Sequence, residues 1–369
     1  MIVAIVLAVS LSWVHASFAP AASKAAQAPK GFFGVHVRSL DGGDFNRMRR
    51  AHVGLVRTGF ALSTAKSREN DEYDWTKFDG FVAGTARNGI DMLPILYGLP
   101  PWLPDHEDSL LRDPGKSVWR DYLTALADRY GSDGKFWALN PDIPYHPVRT
   151  WQIWNEPNSF VNWSNPDARE YGKLLTISAR ALHAVDPKAK IVSGGVVSKP
   201  INDDSLDGAR YLRRMFRSKA AARAADIVAI HPYTRTVRDT KEMVEQARKV
   251  MDRAGLKRTP IWVTEIGWGT STGFNASDAE RATGRPVANP GPRGWRRWNI
   301  SAAEQRRNLR RSFEMALRQR KKLGLRRMVW YQWQEGHDDA CGWCATSGLL
   351  RENGVGKQLL RVFSRIARL

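Results

Sequence analysis

Two glutamates in this 369-residue chain lie in apolar, aromatic strings where a carboxylate is out of place. Glu156 sits in W-Q-I-W-N-E-P-N, residues 151–158, and Glu265 in W-V-T-E-I-G-W, residues 262–268. A carboxylate in such surroundings is costly to desolvate, so it needs a partner or a chemical task. Two carboxyl groups flanking one cavity are the apparatus of glycosidic cleavage: one protonates the departing oxygen, the other attacks or activates water. Other polar groups close apolar runs in the same way. Arg57 (V-R-T-G-F) is suited to hold a carboxylate ionised. The Tyr233 hydroxyl, in H-P-Y, is placed to donate to Glu265, and Asn155 offers an amide to a substrate hydroxyl. His36 (F-G-V-H, with Gly34 leaving room), His231, Trp268 and Trp333 complete the candidate substrate-binding set.

These groups converge only if the runs that carry them are strands of one sheet. Apolar, β-branched runs at 32–37, 53–60, 91–97, 148–154, 190–197, 226–231, 261–266 and 327–333 read as strands. Between and after them lie amphipathic stretches at 44–51, 75–88, 117–130, 167–185, 206–221, 240–254, 302–322 and 356–369. The runs do not alternate with polar residues, which is the pattern of a parallel sheet covered on both faces. Eight such βα units predict an α/β fold, a single (β/α)8 TIM barrel over residues 31–369, with its site at the carboxyl ends of the strands. A doubly wound open sheet is the alternative, but no G-x-G-x-x-G follows the first strand. In the barrel the fourth and seventh strands face one another, which brings Glu156 to Glu265. The stretch 131–147 joins a helix to a strand on the lower face, whereas 267–299 is a long connection on the site's own face.

In these motifs the sequence resembles glycoside hydrolase clan A, and within it the family 5 cellulase-like and family 39 β-xylosidase-like enzymes. The matching parts are Asn155-Glu156-Pro157, Glu265, Arg57, His231 with Tyr233, a tryptophan on the eighth strand, and the string S-G-L-L-R-E-N-G at 347–354. The two glutamates are 109 positions apart, with the other parts in the matching order. The resemblance implies a retaining β-glycosidase with Glu156 as acid/base, Glu265 as nucleophile, an oligo- or polysaccharide substrate and no cofactor. A non-catalytic carbohydrate-binding barrel is the other functional reading, and it would lack one glutamate. The glutamates as structural ion-pair partners of Arg57 are the third. No metal is expected, because a metal-dependent barrel would want His-x-His on the first strand and this chain has His36-Val37-Arg38.

Composition bounds the rest. A net charge of +20 and 15 tryptophans suit either nucleic acid or sugar as a partner. Charge placement favours sugar: residues 293–327 hold 13 Lys and Arg against 2 Asp and Glu, much of it on an outward-facing helix. No nucleic-acid partner is therefore expected, whereas association with an anionic surface is compatible with the charge, and a monomer is expected. Trp151, Trp154 and Trp262 read as core. Trp102, Trp163, Trp268, Trp295, Trp298, Trp333 and Trp343 lie at or past strand ends, where some would line a sugar groove, and Glu335 is a third carboxylate near the mouth. Residues 2–14 are uncharged and too short to span a bilayer, so 1–19 read as a signal peptide and 20–30 as a disordered spacer of an extracellular protein. No membrane segment is expected after cleavage. Cys341 and Cys344, in C-G-W-C, are the only cysteines, and in an exported protein they read as a short-loop disulfide rather than a redox motif.

Overall fold

The computed structural model describes residues 28–38, 40, 43–199, 205–270, 300–336 and 344–368. The strands are β1 (Phe33–His36), β2 (Leu55–Ala61), β3 (Asp91–Tyr97), β4 (Thr150–Ile153), β5 (Lys190–Val192), β6 (Val196–Val197), β7 (Val228–His231), β8 (Ile261–Ile266) and β9 (Leu325–Trp330). The helices are α1 (Asp44–Arg50), α2 (Leu62–Ala65), α3 (Thr76–Arg87), α4 (Gly115–Tyr130), α5 (Lys135–Leu139), α6 (Ala168–Val185), α7 (Gly208–Met215), α8 (Lys219–Ala224), α9 (Val237–Arg253), α10 (Ala302–Leu323) and α11 (Gln358–Ala367). Most of the longer helices open on a side-chain cap. Asp167, Asp207, Thr236 and Ser301 accept first-turn amides of α6, α7, α9 and α10, and Gly324 ends α10 with φ 65°.

All strand pairs in the ladder are parallel, in the order β5-β4-β3-β2-β1-β9-β8-β7-β6. The two ends of that order are consecutive in the chain. Bridges Asn155↔Gly195 and Val192↔Ile227 tie this segment to β4 on one side and the start of β7 on the other, so the sheet closes into a barrel. The expected fifth strand, 190–197, is thus present but split. Backbone groups at the break are taken elsewhere: the Tyr171 hydroxyl accepts the Gly194 amide, and the Ser193 hydroxyl accepts the Ala229 amide.

Two other expectations change. The single helix foreseen at 206–221 is broken into α7 and α8, because the Ser218 side chain accepts the Ala221 amide and starts a new helix. The lower connection 131–147 contains the short helix α5. Of the foreseen spacer only 28–30 lie within the described residues, and Ala28 packs against the core. The foreseen signal peptide and most of the 267–299 connection lie outside the described residues, as do Cys341, Trp295, Trp298 and Trp343. Among the described residues no helix is long and apolar enough to cross a membrane.

The core has two parts. A large cluster fills the space between sheet and helices, and a small separate one, Leu55, Leu93, Val192, Ile227, Ala229, Trp262 and Val329, plugs the barrel interior. Side chains two positions further along a strand share its face. Above the plug, Leu55 is therefore followed by Arg57, Ala229 by His231, Trp262 by Thr264 and Val329 by Tyr331. The polar site stands on this apolar floor. Trp262 is its largest member, with the Arg327 guanidinium 5.2 Å from its ring. Trp262→Ala should cost about 3–5 kcal/mol in urea unfolding; a loss below about 1 kcal/mol would show that the plug does not support the barrel.

Candidate active site

Arg57 is wholly buried at the centre of the site. Its Nε donates to Gln152 Oε1 at 2.7 Å, Nη1 to Glu265 Oε1 at 2.5 Å and to His36 Nδ1 at 3.0 Å, and Nη2 to Asn155 Oδ1 at 2.7 Å. A guanidinium has no acceptor capacity, so His36 Nδ1 must carry a lone pair. Burial and the Arg57 charge push His36 down to about 3, which keeps that lone pair free. The His36 ring stacks on Tyr331 at 4.8 Å.

The two carboxylates share His231. Its Nδ1 lies 2.7 Å from Glu156 Oε1 and 3.5 Å from Glu265 Oε2, and its Nε2 meets Thr264 Oγ1 at 3.0 Å. One oxygen of each carboxylate and a ring nitrogen of His231 all lie within 4.8 Å of one another. Asn162 Nδ2 donates to the other Glu156 oxygen at 3.1 Å, and Trp154 Nε1 holds the Asn162 carbonyl at 2.8 Å. The Tyr233 hydroxyl donates to Glu265 Oε2 at 2.7 Å.

Local backbone makes this convergence possible. In β8 the register with β9 shifts between Val263 and Ile266, so the consecutive residues Thr264 and Glu265 both reach the interior. Past β4, Trp154 (φ 67°) and Glu156 (φ 44°) take the left-handed conformation that side chains rarely adopt. At Gly195 a Cβ would lie 1.9 Å from His231 Nε2, so only glycine leaves the ring its place.

The environments push the carboxyls apart. Burial raises Glu156, and the neighbouring Glu265 charge adds to this against the His231 contact. Burial would raise Glu265 too, but the neighbouring His231, the Arg57 guanidinium and the Tyr233 hydrogen bond overcome it and bring it to about 2. Burial, with the Glu265 charge beside it, drives the Tyr233 phenol well above its ordinary value, so it stays a donor. Two carboxyls with separated proton affinities can act as one acid and one anion at the same pH.

The structure brings together Glu156, Glu265, Arg57, Asn155, His36, His231 and Tyr233. Asn155 spends its oxygen on Arg57, leaving its amide nitrogen as the donor. Trp268 and Trp333, expected to bind substrate, are each only 1% exposed. The Trp268 indole donates to the Thr234 carbonyl and packs beside Trp330. Trp333 is tied between the His36 carbonyl and the Leu350 amide. Trp163 is buried in the same way. Glu335 does not join the pair; it accepts from Lys357 Nζ at 2.6 Å. Gln152, Thr264, Tyr331 and Asn162 were not foreseen. Gln152 and Thr264 carried a readable signal, being polar residues inside apolar strands, whereas Asn162 lies in a connection without one.

A closed parallel barrel with two facing carboxylates at the carboxyl ends of its strands has the arrangement that glycosidic cleavage requires. Among known proteins, residues 149–285, which contain Glu156, His231, Tyr233 and Glu265, match the model of the glycosyl hydrolase catalytic core. A stretch of 79 residues is 34% identical to a β-xylosidase of Geobacillus stearothermophilus, covering 20% of this chain and 13% of that protein. In fold the chain is similar to a family 39 glycoside hydrolase of Bacteroides cellulosilyticus, with TM-score 0.61 and 18% identity over 93% of this chain and 64% of that one. It is also similar to a monomeric β-xylosidase of Caulobacter crescentus, with TM-score 0.62 and 19% identity over 92% of this chain and 69% of that one.

Carboxyl-selective 13C NMR should find Glu265 ionised down to about pH 2 and Glu156 titrating above 4.5, with Tyr233→Phe moving Glu265 upward. Since the folded state lowers Glu265 from 4.5 to about 2, the stability this carboxylate contributes is complete above about pH 4.5 and disappears as pH falls through about 2. The reverse order of titration would contradict the assignment. Gly195→Ala should displace the His231 ring and, by removing the contact that holds Glu156 down, raise the Glu156 value further; an unchanged titration would show that the ring does not move.

Proposed function

We propose that the protein is a retaining β-glycosidase in which Glu265 is the nucleophile and Glu156 the acid/base. The observation that carries the reading is the carboxyl pair within 4.8 Å and its opposite shifts in proton affinity. Retaining enzymes hold their carboxyls about 5–5.5 Å apart, and inverting ones leave about 6.5–9.5 Å for a water. In the first step the ionised Glu265 oxygen bonds to the anomeric carbon as the bond to the leaving oxygen breaks, and the Glu156 proton passes to that oxygen. Esterification removes the Glu265 charge, so Glu156 can then take a proton from water. The water oxygen bonds to the anomeric carbon and releases Glu265. His231, oriented by Thr264, keeps Glu156 facing the pair throughout, and the Asn155 amide is free to meet a sugar hydroxyl.

The names of two relatives make β-xylosides the first substrates to try, in a panel with glucosides, galactosides and mannosides. The protein is further read as exported through its 1–19 segment. The apolar run there supports this, as does Cys344, which is disulfide-bonded, a state typical of oxidising compartments. A monomer is expected.

Proton NMR of a turnover should show the first-formed sugar with the anomeric configuration of the substrate; an inverted product excludes the double displacement. Glu156→Gln and Glu265→Ala should each lower kcat by about 10²–10⁴-fold or more with the fold intact. Azide should rescue both, giving a β-azide with Glu156→Gln and an α-azide with Glu265→Ala. Near-parental turnover by either variant removes that residue from its role. With the parent, kcat/KM should fall on the alkaline side as Glu156 loses its proton and on the acid side as Glu265 gains one.

A further inference from the structure

A second feature lies away from the carboxylates. α1 and α11 enclose an open groove of about 990 Å³ lined by Arg47, Arg50, His52, Arg361, Arg365 and Arg368. Its remaining lining is Ala51, Leu360 and Ser364, with no acidic residue. Arg50, His52, Arg361, Arg365 and Arg368 are exposed. Arg361, Arg365 and Arg368 follow at helical spacing and so share one face, as do Arg47 and Arg50. Among the described residues none of these five guanidiniums forms an ion pair. Elsewhere some helical bases do meet an acid one turn away: Arg238 with Glu242, Lys241 with Glu245, Arg318 with Glu314. Like charges one turn apart repel, so the row in the groove is a small cost to the fold that an anion would relieve.

We propose that this groove binds an acidic polysaccharide, through charge-assisted hydrogen bonds from the guanidiniums to its carboxylates or sulfates. The lining favours this polyanion over others. It has no Phe, Tyr or Trp on which bases would stack, and one half-buried leucine in place of the apolar face that bilayer insertion requires. Its position suits a tether. α1 leaves the carboxyl end of β1 and returns to the start of β2, so Arg50 and His52 lie toward the opposite end of the barrel from Glu156 and Glu265. A polymer held there leaves the mouth open. The inference does not depend on the chemistry assigned to the carboxylates.

The test is equilibrium binding of the full chain to polygalacturonate and dextran sulfate, beside neutral xylan, duplex DNA and phosphatidylglycerol vesicles. The expected result is salt-sensitive binding to the acidic polysaccharides, tighter than to DNA or vesicles, and none to xylan. R361E/R365E/R368E should weaken it at least about tenfold. R213E/R214E/R217E, the same charge change on exposed residues of α7 and after it, should weaken it no more than about twofold. Equal weakening by both variants would reduce the effect to net charge and overturn the proposal. So would preferential binding of DNA or vesicles, or no binding at all. Thermal unfolding verifies both variants. If the triple variant does not fold, Arg365→Gln should still weaken binding about two- to threefold, and an unchanged affinity overturns the proposal.

Discussion

The buried Arg57 guanidinium is the constraint on which the site depends. A charge removed from water must find both an opposite charge and acceptors for its N–H groups, or the chain does not fold around it. Here Glu265 supplies the charge, and Gln152, His36 and Asn155 supply the acceptors. These groups come from β1, β2, β8 and the end of β4, so satisfying one side chain fixes the relative position of four parts of the barrel. The same guanidinium holds Glu265 as an anion and His36 as a neutral ring. One desolvated cation thus sets geometry and protonation together.

Glu156 lies outside that direct network, and the difference between the carboxyls follows. Glu265 is bonded to Arg57 and Tyr233; Glu156 has His231 and the Asn162 amide. Burial therefore dominates at Glu156 and charge at Glu265. His231 links the two, since its Nδ1 faces both, and its orientation is governed by Thr264 and by the missing side chain at Gly195.

Much of this was legible in the sequence, for a physical reason: a polar residue at the end of an apolar run is improbable unless it is used. Glu156, Glu265, Arg57, Asn155, His231 and Tyr233 announced themselves in that way, and the eight runs placed them in a barrel. What was not legible depends on register and on three-dimensional cover. The break at 193–195 comes from Tyr171 and Ser193 taking ladder amides, which no local pattern reveals. Trp268 and Trp333 are aromatic and near the mouth, but their burial is decided by the Thr234, Trp330 and Leu350 segments packed on them. A strict two-residue alternation in β8 would have sent Thr264 and Glu265 to opposite faces.

That irregularity in β8 also bears on how barrels of this kind exchange parts. A regular strand can be transplanted between scaffolds by matching its length, since alternation keeps every side chain on its face. β8 cannot, because the residues before and after the register shift obey opposite parity. A recombinant that joins its first half to another barrel's second half retains Glu265 in the pocket only if the donor shifts at the same place. The crossover point, rather than the identity of the residues exchanged, would decide whether such a hybrid keeps both carboxylates facing each other.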